Sequence, residues 1–140
     1  MEIHIRPATV DDMALVQSSW KRTWRTCPWA GVIRNDQFYD SVTAAIEGLI
    51  MRGAQVLVAH PADREGVILG WVCHETVKSG EAAIHYLYVK DPYLGTGINE
   101  RLLEAVPGTK PGFFTFRYRQ VADTCLPKGF RHAPEIARRK

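Results

Sequence analysis

The sequence predicts a mixed α/β fold built on a largely antiparallel sheet. Strand-like runs rich in apolar, β-branched and aromatic residues recur at 2–6, 54–60, 67–77, 81–90 and 112–118. Two segments between the first and second of these runs repeat apolar residues at helical spacing. The three central runs are joined only by "PADREG" and "KSG", short glycine-containing turns that suit an antiparallel meander.

Each element has its own local reason. "EIHIR" (2–6) alternates and ends at Pro7. Thr9 is placed to cap a helix whose N-terminus Asp11 and Asp12 favour, and Met13, Val16 and Trp20 carry it to about residue 24. "RTCPWAG" breaks that helix. Asn35 caps a second one, with Phe38, Val42, Ile46 and Ile50 four positions apart, and Gly53 stops it. After the meander, Ile98, Leu102, Leu103 and Val106 form a helical stripe. "GFFTFRY" (112–118) is a fifth strand, and "RQVADTC" is a short helix. The step from the fourth strand through a helix to the fifth suits a right-handed parallel crossover.

Composition narrows the function classes. A length of 140 residues suits a single domain, 1–140, with a loop-rich basic end from about 126. With 46% apolar residues, disorder is not expected. No apolar run approaches the roughly 20 residues that span a bilayer, and "MEIHIRPATVDD" holds no signal-peptide core. The three cysteines form no C-x-x-C pair, so a reduced, cytoplasmic protein without membrane partners is expected. Residues 107–140 hold eight lysines and arginines against two acids, a net of +6 within an overall +3. Such an end suits a solvated tail or an anionic partner, nucleic acid included.

"YVKDPYLGTGINERLLEAV" (88–106) places glycines between a strand and a helix, where phosphate is often held. It is not a P-loop, because no Lys-Ser/Thr follows the glycines. It is not a dinucleotide fingerprint either: Glu100 replaces the third glycine, and the preceding strands are antiparallel. No H-E-x-x-H, G-x-S-x-G or metal-ligand set is present.

The segment resembles the acyl-CoA-binding region of the GNAT superfamily of N-acyltransferases. "IHYLYVKDPYLGTGINERLLEAV" matches that family's strand, tyrosine-led glycine turn and leucine-rich helix at Val89, Pro92, Tyr93, Gly95, Gly97 and "RLL" (101–103). "IHIRPATVDDMALV" resembles its opening strand and helix, "VLVAHPADREGVILGWVCHE" its next strands, and "ADTCLPKGF" its closing motif. The resemblance spans about residues 2–130. It implies a GNAT-like, mainly antiparallel sheet flanked by helices, in the order β-α-α-β-β-β-α-β-α.

It also implies acetyl-CoA as cofactor. The backbone N–H groups of Leu94, Gly95, Thr96, Gly97, Ile98 and Asn99 would converge on the pyrophosphate, and the pantetheine arm would pair with backbone at Leu87, Tyr88 and Val89. Leu94 stands where Arg or Gln is usual, Asn99 where a small residue is usual, and Cys125 where a tyrosine acid is usual.

Acyl transfer to an amine needs a base, a carbonyl-polarising donor and an acid for the thiolate. Glu75 and His85 are the candidate bases, with His85 alternating with Tyr86 and so sharing a face with Leu87 and Val89. Cys125 or Tyr118 is the candidate acid. Trp24, Arg25 and Trp29, in an aromatic and cationic stretch, and Tyr86 are candidates for the acceptor site.

The expected function is acetyl transfer from acetyl-CoA to a primary amine, small or nucleic-acid-borne. Two alternatives stand: a nucleic-acid-directed enzyme of this fold, and a non-catalytic acyl-CoA or partner-binding module. Monomer and homodimer are both open.

Overall fold

The computed structural model describes residues 2–24, 44–115 and 119–138. Its centre is a six-stranded sheet of β1 (Ile3–Pro7), β2 (Gln55–Pro61), β3 (Gly70–Thr76), β4 (Glu81–Val89), β5 (Thr109–Phe114) and β6 (Arg131–His132), side by side in chain order. β1 to β4 are antiparallel. β5 and β6 then add in parallel. The helices are α1 (Val10–Trp24), α2 (described over 44–51), α3 (Ile98–Ala105) and α4 (Arg119–Cys125). Short 3-10 turns occur at Asp91–Tyr93, Leu126–Lys128 and Pro134–Arg138.

α1 begins where Thr9 donates both its N–H and its hydroxyl to the Asp12 carboxylate, which Arg6 also holds at 2.7 Å. Those bonds fix the helix start and fasten it to β1. One turn-stripe of α1, Val16 and Trp20, is buried on the sheet. Trp20 stacks on Tyr86 at 5.3 Å, both rings lie against Trp71, and the Trp71 indole N–H donates to Ser19 at 2.8 Å. The three buried rings and the Trp71–Ser19 hydrogen bond anchor α1 to β3 and β4. α3 covers parts of β1 to β4, with Ile98, Leu102 and Leu103 turned inward.

Two expectations need correction. The fifth strand starts at Thr109, ahead of the expected 112, and ends at Phe114, before Thr115; 116–118 of the expected strand lie outside the described residues. It must run close to β4, and Gly112 permits this: a side chain there would meet the Ala82 carbonyl oxygen at 2.0 Å. The loop-rich end also contains β6, which pairs with Phe113 and Phe114. Two residues are too few to show alternation in a sequence.

Candidate active site

β3 and β4 are out of step by one residue. Cys73 faces Tyr86 and His74 faces Ile84, so His85 is an extra residue in β4, a β-bulge. Pairing of β4 with β5 ends at the same point, where the Thr115 N–H donates to the Ile84 carbonyl at 2.9 Å. Beyond it, among the described residues, 86–89 pair with β3 alone, so the described sheet opens next to His85.

The bulge corrects the expected facing of His85. Simple alternation puts it with Leu87 and Val89. The extra residue resets the alternation, and His85 instead reaches Glu75 on the Tyr86 side. Its ring is fully buried. Nε2 lies 2.6 Å from Glu75 Oε1, and Nδ1 lies 2.8 Å from the Thr115 hydroxyl. Arg52, at the end of α2, donates to the same Glu75 oxygen and to the carbonyls of Ile136 (2.6 Å) and Ala137 (3.2 Å).

Burial alone would raise the Glu75 carboxyl, but hydrogen bonds from His85 and Arg52, with their charges, outweigh it and hold the group below its usual value. With Glu75 ionised, Nε2 donates to its carboxylate, and Nδ1 shares a hydrogen bond with the Thr115 hydroxyl. Glu75 is thus a poor general base, correcting that role: it is a weakly basic carboxylate with two donors on one oxygen. What the arrangement can do is stabilise an imidazolium. Arg52 and Thr115 were not singled out from the sequence, because each lies more than 20 residues from its partner in the cluster. His74, on the opposite face of β3, is buried with neither ring nitrogen bonded, and burial first, with a proton on His85 adding to it, pushes its imidazole below the usual value.

Other candidates fare differently. Cys125 is fully buried in α4, and burial pushes its thiol up to about 12. Burial therefore makes Cys125 a weaker acid than the ordinary thiol it would have to protonate. The acid role is corrected to core packing. Tyr86 is corrected likewise: its ring is fully buried between Trp20 and Trp71 and cannot line an acceptor pocket. Leu87 and Val89 are buried, while Tyr88 is half-buried beside Trp71. Arg25, Trp29 and Tyr118, and the side chain of Trp24, lie outside the described residues. Within the basic end, Lys110 donates to the Glu104 carbonyl, and Arg131 pairs with Glu81 while lying over the Phe113 ring.

The glycine turn is open on one side. Gly95 and Gly97 adopt φ of 80° and 87°, and a side chain on either would meet nothing within 4 Å. Glycine is needed there for its left-handed backbone. The N–H groups of Leu94 and Thr96 close the turn onto Asp91 and Tyr93, which removes these two from the expected cradle. Among the described residues, the N–H groups of Gly95, Gly97, Ile98 and Asn99 engage no internal acceptor, as expected at the start of α3. The Asn99 side chain turns away from the open side and donates to the Thr124 hydroxyl of α4 at 3.0 Å. An open cavity of about 660 Å³ between β1 and α3, lined by His4, His60 and Arg101, shares no residue with either feature. No described helix is long and apolar enough to cross a membrane.

The fold is shared with solved acetyltransferases. The PaiA N-acetyltransferase of Thermoplasma acidophilum, in complex with coenzyme A, aligns with a TM-score of 0.52 at 18% identity, covering 74% of this chain and 69% of that one. A Pyrococcus furiosus protein assigned as an acetyl transferase aligns at 0.59, with 18% identity over 74% and 70%. A GNAT family acetyltransferase of Brucella melitensis, in complex with acetyl-CoA, aligns at 0.50, with 19% identity over 73% and 64%. At such identities the likeness is one of fold. A comparison with curated proteins finds no match. The sequence model of the acetyltransferase (GNAT) family, however, matches residues 16–106, from within α1 through the opened strand and the glycine turn to the end of α3, and the chain belongs to that family.

Proposed function

We propose that the protein transfers an acetyl group from acetyl-CoA to a primary amine, with His85 as the base. The observation that carries this reading is the bulge: where β4 parts from β5, a histidine held between a carboxylate and a hydroxyl stands beside an open strand edge. The coenzyme A in the Thermoplasma structure and the acetyl-CoA in the Brucella structure support the cofactor. The residues of this chain fit such a ligand. The free N–H groups of Gly95, Gly97, Ile98 and Asn99 suit a pyrophosphate, and the space beside both glycines is open.

Acetyl-CoA supplies the activated acyl thioester. In this reading the Leu87 N–H polarises its carbonyl. Thr115 passes a proton from the amine to Nδ1 of His85, and Glu75, braced by Arg52, stabilises the imidazolium. The second proton lost by the attacking nitrogen neutralises the departing thiolate, so no separate acid is needed. The aromatic and cationic composition of 20–29 supports a planar or anionic amine over a lysine-rich peptide, which the arginines would repel.

Calorimetric titration with acetyl-CoA tests the reading. Binding to wild type is expected, with affinity about tenfold weaker in Gly97→Asn, since asparagine tolerates positive φ but fills the open space. Equal affinity would remove the turn from the site. An acetylation panel of small amines, amine-bearing nucleic acid and lysine-rich peptides then ranks the acceptors.

A further inference from the structure

Val89 is the last residue of β4, beyond the bulge and beyond the described pairing with β5. Among the described residues no strand pairs with that edge of Val89, yet its backbone is engaged. The Val89 N–H donates to Gln120 Oε1 at 2.8 Å, and the Val89 carbonyl accepts from Gln120 Nε2 at 3.3 Å. One side-chain amide thus engages the donor and the acceptor of a single strand residue, as the backbone of an added strand would.

Gln120 belongs to α4, and it is not isolated from the glycine turn. Its carbonyl accepts from the Thr124 hydroxyl at 2.8 Å, and Thr124 accepts from Asn99, the second residue of α3, at 3.0 Å. A continuous path of hydrogen bonds therefore runs from the helix start behind the turn, through α4, to the open edge of β4.

Resting on the acetyl-CoA reading above, we infer that Gln120 is an internal competitor that occupies the edge of β4 until the cofactor displaces it. The pantetheine arm of coenzyme A carries two amides. Any amide laid along β4 at Val89 needs the N–H and carbonyl that Gln120 holds. The side chain must swing out as the arm enters, so cofactor affinity is the difference between two amides on one site. ADP has the pyrophosphate but no pantetheine arm, so it does not compete with Gln120.

Titration of the full chain with coenzyme A and with ADP separates the cases. In Gln120→Ala, and in Gln120→Met, which keeps the length but lacks the amide, coenzyme A affinity should tighten by about threefold to tenfold, the effect of one net hydrogen bond. ADP affinity should be unchanged. In the free protein, amide hydrogen exchange at Val89 should quicken in both variants, and coenzyme A should restore its protection. If coenzyme A binds wild type but binds the variants equally or more weakly, Gln120 is no competitor, and the acetyl-CoA reading survives. An equal change for ADP, or unchanged Val89 exchange, overturns the inference as well. If neither wild type nor variant binds coenzyme A, the underlying reading falls and takes this inference with it.

Discussion

His85 holds its position because β4 has one residue too many. Without the extra residue the ring turns to the Leu87 side, and Glu75 has no imidazole to hold. His85→Gln is expected to lower kcat by about 10²-fold or more while cofactor affinity stays near wild type, the loss typical of a removed general base. Steady-state kinetics with both substrates varied check it, and a kcat equal to wild type would remove His85 from the reaction. Cys125→Ala leaves kcat unchanged on the same reading. A large drop in that variant would return the proton-transfer role to the thiol in spite of its burial. From the sequence, His85 and Glu75 were recognisable by residue type and by their place on strands. Their contact was not, since a bulge leaves no mark in the hydrophobic pattern.

The parallel junction of β4 and β5 depends on a missing side chain. Gly112 lies against Ala82 so closely that an added Cβ would overlap backbone, which cannot rotate away as a side chain could. Gly112→Ala should cost about 3 kcal/mol, the upper end for overpacking, and loosen the junction that sets the opening beside His85. Gly48 is the control. It lies in α2 with nothing within 4 Å, so Gly48→Ala should be neutral or stabilising by about 0.5–1 kcal/mol through helix propensity. Urea unfolding of the two variants checks both signs, and equal effects would sink the close-approach argument. The boundaries of β5 were misread for a related reason. "GFFTFRY" has stronger strand propensity than "TKPG", but the pairing with β4 favours the segment that can fit.

The whole molecule should lose stability in acid through one buried corner. Arg6, the Thr9 N–H and the Thr9 hydroxyl hold the Asp12 carboxylate, lowering its pKa to about 2, with the hydrogen bond from Arg6 the largest cause. A folded value below the unfolded one means that the stabilisation is complete above about pH 4 and fades as pH falls towards 2. Its size is about 1–2 kcal/mol, less than the full shift implies because solvent reaches the Arg6 side of the pair. Asp12→Asn should lower Tm at pH 6 and show a flatter loss of Tm between pH 4 and pH 2. Parallel melting curves for variant and wild type would refute it. The sequence by itself determined the order of the strands and helices as far as α4, the antiparallel meander and the glycine turn, because each follows from periodicity and backbone preference within a short window. Only the tertiary structure decided the contents of the site. Arg52, Glu75, His85 and Thr115 meet across the end of α2, β3, β4 and the end of β5, and Gln120 of α4 meets Val89 at the end of β4, through a bulge and a close glycine approach. Contacts between residues so far apart along the chain are set by how strands register and pack, and no local pattern records that.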